Sequence, residues 1–146
     1  MSKLALRYEY DASFYDNRLT RDDFGRLSIA VETDRFSAKG GFWVQWQDVV
    51  EFGDALSCYP IPAPDGITAE WGFDLQEGDD LILKIQIVPA DKRGGLIARF
   101  EVADDYEPQY RARGYFLTNY SDLDTFRAEI ARLMKGEIDT ATLLGQ

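Results

Sequence analysis

Carboxylates, guanidiniums and aromatic rings carry the chemistry open to this chain, because it has no histidine and a single cysteine, Cys58. Histidine is the side chain whose ordinary pKa lies nearest neutrality, and it is the commonest partner of a nucleophile or a transition metal. Its absence removes most catalytic templates. Four kinds of site remain to be weighed: acid clusters for a hard cation, acid pairs for hydrolysis, arginine groups for an anion, and tryptophans lining a ligand groove.

The stretch Asp74-Leu75-Gln76-Glu77-Gly78-Asp79-Asp80 has acids and a glycine, but not the spacing of an EF-hand loop, and it falls where a hairpin turn is expected. It reads as a solvated turn. Asp22-Asp23 and Asp104-Asp105 are adjacent pairs whose side chains point apart in extended chain, so neither is a ready pair for glycoside hydrolysis. Gly40-Gly41 lacks the following Lys-Ser/Thr of a phosphate loop and the spacing of a dinucleotide fingerprint. No catalytic residue, cofactor or metal ligand is assigned. Arg99, Arg111 and Arg113 share one face of a predicted sheet and could hold an anion, but cross-strand pairing with Glu101 and Glu70 is the favoured reading. Trp43, Trp46 and Trp71 sit at core spacing. A ligand pocket near Trp43, Trp71 and the Arg99/Arg111/Arg113 face, serving a small-ligand carrier or an enzyme, is the alternative reading.

The formal charge is −10, from 16 Lys and Arg against 26 Asp and Glu. That excess disfavours nucleic acid or an anionic membrane surface as a direct ligand and favours a basic protein partner. Three windows concentrate the acids without an intervening Lys or Arg: Asp48, Glu51 and Asp54; Asp74 to Asp80; and Glu101 to Glu107. The first lies on a predicted helix, and Asp48, Glu51 and Asp54 are the candidate partner-binding residues.

These residues need elements to position them, and 146 residues at 45% hydrophobic content suit one globular domain spanning 1–146. Leu4, Leu6, Tyr8 and Tyr10 share one face of a first strand, and Leu27, Ile29 and Val31 one face of a second. The alternating N-terminus reads as a strand and not as a signal peptide, which with a lone cysteine predicts a cytoplasmic protein. Asp11 to Gly25 has no clean period and is expected to be a packed loop. Phe36 to Gln45 reads as a third strand, with Gly40-Gly41 marking a bulge or a close backbone approach.

Between Trp46 and Tyr59 the period changes to that of a helix, predicted over about 46–58. Trp46, Val49, Phe52, Gly53, Leu56 and Tyr59 form its apolar side, with Gly53 expected to admit close contact with the sheet. Cys58 is expected to be a partly buried residue at the helix end. Pro60, Pro62 and Pro64 then forbid continuation. Four strands follow with inward faces Ile67–Phe73, Leu81–Ile87, Leu96–Val102 and Tyr110–Phe116, joined by short links that make a meander. Ser121 is the predicted N-cap of a second helix over 121–135, with Leu123, Phe126, Ile130 and Leu133 as its apolar stripe and Lys135-Gly136 as its stop. Thr140 to Leu144 is expected to cap a sheet edge.

The order of these elements carries a resemblance. Phe42-Trp43-Val44, then Trp46-Gln47-Asp48-Val49-Val50-Glu51-Phe52, Leu56 and Tyr59-Pro60, the meander, and Thr118-Asn119-Tyr120 leading into Leu123, Phe126, Ile130 and Leu133 resemble a group of small bacterial proteins. Their layout looks like that of some immunity proteins that accompany polymorphic toxins. The resemblance spans roughly residues 36 to 145 and implies a non-enzymatic inhibitor that blocks a toxin. The expected architecture is a single α+β domain, an antiparallel sheet of about seven strands with two amphipathic helices. The expected function is non-catalytic protein binding.

Overall fold

The computed structural model describes residues 1–10, 24–74 and 77–146. Most of the link expected at Asp11–Gly25, the Asp22-Asp23 pair, and Leu75-Gln76 lie outside the described residues. The alternating segments form β1 (Ser2–Tyr10), β2 (Phe24–Glu32) and β3 (Ser37–Gln45), followed by helix α1 (Trp46–Ala55). The meander is β4 (Ile67–Gly72), β5 (Leu81–Pro89), β6 (Gly95–Ala103) and β7 (Arg111–Asn119). Helix α2 (Tyr120–Met134) and β8 (Ala141–Gly145) close the chain.

The strands do not form one seven-stranded sheet. Among the described residues they form two antiparallel sheets of four, ordered β3-β2-β1-β8 and β4-β5-β6-β7. Two features cause the division. Helix α1 and the proline segment separate β3 from β4, so the first three strands and the meander do not join, and β8 returns to pair with β1 in register Leu4↔Leu143. The period-two faces read from the sequence then become the two inner surfaces. Leu4, Leu6, Leu27, Ile29 and Leu143 on one, and Leu83, Ile85, Ile87, Leu96 and Phe100 on the other, belong to a single core that also takes in Phe126 and Ile130 of α2.

Strand β3 passes over the second sheet at its strand ends. Phe42 meets Phe73 edge to face at 5.1 Å, and a Cβ on Gly40 would lie 2.6 Å from Val102 Cγ1 and 3.0 Å from the Ala103 carbonyl oxygen. Gly40 is therefore a point of close approach, as its sequence context predicted. At the other side of the fold, Gln146 N donates to the Leu117 carbonyl and Thr118 Oγ1 to that of Leu144, so the β7 and β8 edges meet.

Both helices differ from expectation at their ends. Helix α1 stops at Ala55, because Leu56, Ser57 and Cys58 turn tightly through bonds to Gly53, Asp54 and Ala55, and Cys58 and Tyr59 are exposed. Gly53 packs on α2 and not on a sheet, with Ile130 Cγ2 2.8 Å from where its Cβ would be. The cap of α2 is Asn119, whose side-chain oxygen accepts from Asp122 N at 2.8 Å and whose amide donates to the Asp122 carboxylate. Ser121 lies inside the helix. An asparagine two residues upstream offers the same oxygen and an additional donor, which is why the shift is favourable. Phe36, Phe73 and Tyr110, expected in strands, lie just outside them and are exposed.

Candidate functional site

Asp48, Glu51 and Asp54 are all exposed on α1, but the fold does not keep them together. A helix turns about 100° per residue, so Asp48 and Asp54 lie about 120° apart around its axis. Asp48 and Glu51 face β4 across a groove of about 410 Å³ that also contains Glu70, with Phe52, Ile67 and Trp71 in its lining. Asp54 instead lines the seam between α1 and α2, where Arg127 and Lys135 are its neighbours. The unit made by the structure is thus Asp48, Glu51 and Glu70.

The groove has an apolar base because Phe52 and Trp71 meet edge to face at 6.2 Å, locking α1 to the start of the meander. Trp46 Nε1 donates to the Met134 carbonyl at 3.0 Å, which fixes the other end of α1 on α2. Within this frame partial burial pushes the Asp48 carboxyl above the ordinary carboxylate range, and the negative charge of Glu51 pushes it further the same way. No cation lines this groove among the described residues. Among the described residues β4 is the last strand of its sheet, and it borders the same space. The three carboxylates line the groove without converging on one point. Among the described residues, no three His, Cys, Asp or Glu side chains gather as a cation site.

A second constellation crosses the outer face of the first sheet. The end of β6 passes β3 at Gly40, and in the connection that follows Asp105 reaches Arg26 with bonds of 2.7 and 3.2 Å. The guanidinium lies over Gly41 and 5.9 Å from the centroid of Trp43. The bond from Arg26 holds the Asp105 carboxyl below its ordinary range, and the Arg26 guanidinium is raised in turn by the same bond. A cleft of about 940 Å³ beside this latch has a floor of Ala5, Ser28, Ala30 and Gly41. Its charges interleave, with Arg7, Arg26 and Lys39 against Glu9, Asp104, Asp105 and Asp139, so it presents no single sign to a ligand.

The pocket expected near Trp43, Trp71 and the three arginines is not assembled. Trp43 stands on the outer face of the first sheet, Trp71 is buried against Phe52, and Arg99 and Arg113 lie on the outer face of the second. The cause is the division into two sheets, which turns residues of β3 and of the meander to different surfaces. Arg111 does pair with Glu101, as the cross-strand reading expected, whereas no ion pair joins Arg99 or Arg113 to a described residue. Sequence reasoning missed Glu70 as a groove member and the Arg26–Asp105 latch, whose partners are 79 residues apart. The double glycine was the one local sign of the latch. No helix among the described residues is long and apolar enough to cross a membrane. No known family, curated protein or solved structure matches this chain.

Proposed function

We propose that this chain is a non-catalytic protein-binding domain of the cytoplasm that docks a basic partner in the groove between α1 and β4, and that in its sharpest form it is an immunity-type inhibitor of a toxin. The observation that carries the reading is the shared groove of Asp48, Glu51 and Glu70 over Phe52 and Trp71. An apolar base with like charges at its rim suits a partner surface that brings Lys or Arg to the rim and an apolar residue to the centre. The raised Asp48 supports it. That carboxylate is held where ionisation costs stability, and a basic partner would relieve the cost.

The test is capture from the source cell. A basic protein should be retained by the natural chain and lost when Asp48→Lys, Glu51→Lys and Glu70→Lys are introduced together. Retention unchanged by the triple reversal contradicts the groove as the docking surface. A toxin-like reading frame beside the gene, whose product is blocked by this chain in co-expression, would support the immunity form, and a product left active would remove it.

A further inference from the structure

Where β7 faces the hairpin between β2 and β3, the two sheets part and leave a groove of about 590 Å³. Its construction differs from every other concavity described above. Val31, Ala38, Phe100, Ala112 and Gly114 are inner-face residues that line it, so the groove opens onto the core and not onto a polar sheet surface. Small side chains leave the space: three of those five are Ala or Gly. A Cβ on Gly114 would lie 3.1 Å from the Phe100 ring, so the missing side chain is what exposes that ring to the groove.

The rim is aromatic and cationic. Phe36 is 77% exposed and Tyr115 64%, so both rings are accessible at the groove's edge. Phe36 is held in that position by the hairpin turn, where Thr33 N donates to the Phe36 carbonyl at 2.8 Å and Phe36 N to Thr33 Oγ1 at 3.2 Å. Arg111 and Arg113 are the charged residues of the lining, and among the described residues no carboxylate joins them there. Arg111 pairs through Nη1 with Glu101, while its buried Nη2 has no hydrogen-bond partner among the described residues. A buried N–H without an acceptor is costly, and a carboxylate entering beside Arg111 is one way to relieve it. Arg113 is exposed and has no ion-pair partner among the described residues. In a chain of net charge −10, a groove lined by Arg113 and by an Arg111 already paired with Glu101, with no acid among its described lining residues, is a local reversal of sign.

We propose that this groove binds a small amphipathic carboxylate, its acyl or aryl body against Val31, Phe100 and Ala112 and its carboxylate on Arg111 and Arg113. The size falls within the range of small-molecule sites, about 300–1,000 Å³, and the mix of apolar floor with few polar groups is the usual one. Planar guanidiniums favour a carboxylate because two parallel N–H bonds match its two oxygens. The site lies at the Glu32–Ser37 end of the first sheet and against β7, the sheet edge opposite β4, and shares no lining residue with the α1/β4 groove.

Octanoate and its uncharged counterpart octanol are the probes, followed by backbone and side-chain NMR of the whole protein. Octanoate should produce saturable shifts concentrated at Phe36, Phe100, Tyr115 and the Arg111 side chain. Arg113→Gln, an exposed change that should leave the fold intact, should weaken octanoate by about tenfold, equivalent to about 1.4 kcal/mol, and leave octanol unaffected. Ala112→Leu should fill the floor and weaken both probes, with an unchanged melting temperature showing that the domain still folds. The proposal is overturned if octanoate gives no saturable shifts up to about 10 mM, a dissociation constant too weak to count as a site. It is equally overturned if the shifts fall elsewhere, or if Arg113→Gln affects octanoate and octanol alike.

Discussion

The two grooves at opposite ends of this fold are chemical opposites built by different means. The α1/β4 groove is made by a helix laid against a sheet edge, and its charges are Asp48, Glu51 and Glu70. The groove at β7 is made by a gap between sheets, and its charges are Arg111 and Arg113. Acidic surface is abundant in a chain of charge −10, so the first groove is distinguished by its apolar base and by the raised Asp48, not by its sign. The second is distinguished by sign, by small residues where a packed interior would hold larger ones, and by an unmatched buried N–H. Shape and desolvation separate a candidate site from a merely charged surface.

Both grooves depend on one core, so the largest effect should come from a residue that supports each. Phe126, on the inward face of α2, is fully buried, and Phe126→Ala should cost about 3–5 kcal/mol in denaturant melts. A loss below about 1 kcal/mol would show that α2 does not anchor the sheets. Gly40→Val comes next, because its side chain would overlap Val102 and the Ala103 carbonyl where β3 crosses β6. Overpacking there should cost about 1–3 kcal/mol and perturb the β7 groove more than the α1 groove, since it pushes the two sheets apart. An equal disturbance of both, read by NMR shifts, would mean that the sheets move as one body.

The Arg26–Asp105 latch should matter less and should carry a pH signature. Asp105 sits below its ordinary value of 3.8 when folded, so its stabilisation is fully present above that value and is lost as pH falls through the lower folded one. Asp105→Asn should cost about 1–2 kcal/mol at neutral pH, and that difference should shrink on acidification below about pH 4. Asp48 has the reverse sign. Its folded pKa is raised, so it destabilises the fold at pH values above its titration, and Asp48→Asn should raise neutral stability by no more than about 0.5 kcal/mol. A loss of stability in Asp48→Asn would show that the groove favours the charge even without a partner.

How far the sequence discloses these features depends on the range of the interactions. The period-two runs such as Leu27, Ile29 and Val31 and the stripe Leu123, Phe126, Ile130 are legible because each residue's face is decided within its own element. The meander is legible because its links are short. The return of β8 to β1 is not, since nothing local to Ala141–Gly145 states which edge is open to it. The cap of α2 was displaced because Asn119 and Ser121 are both competent oxygens, and only the approach of the preceding strand decides between them. Asp48 and Glu51 could be placed on one helix from spacing alone, but Glu70 joins them through a tertiary contact. The Arg111 and Arg113 groove needs the separation of the sheets, a property of no single segment.

The most direct test of the docking account compares association rates of the captured basic partner with two reversed chains, one carrying Asp48→Lys, Glu51→Lys and Glu70→Lys, the other Asp54→Lys alone. Steering acts chiefly on the on-rate and is screened over about 8 Å at physiological salt. The triple reversal should slow association by about a decade or more at low salt, with the difference narrowing as salt rises, while Asp54→Lys should stay within about twofold of the natural chain. A partner whose on-rate ignores the triple reversal and the salt, or falls as far with Asp54→Lys, would contradict the account.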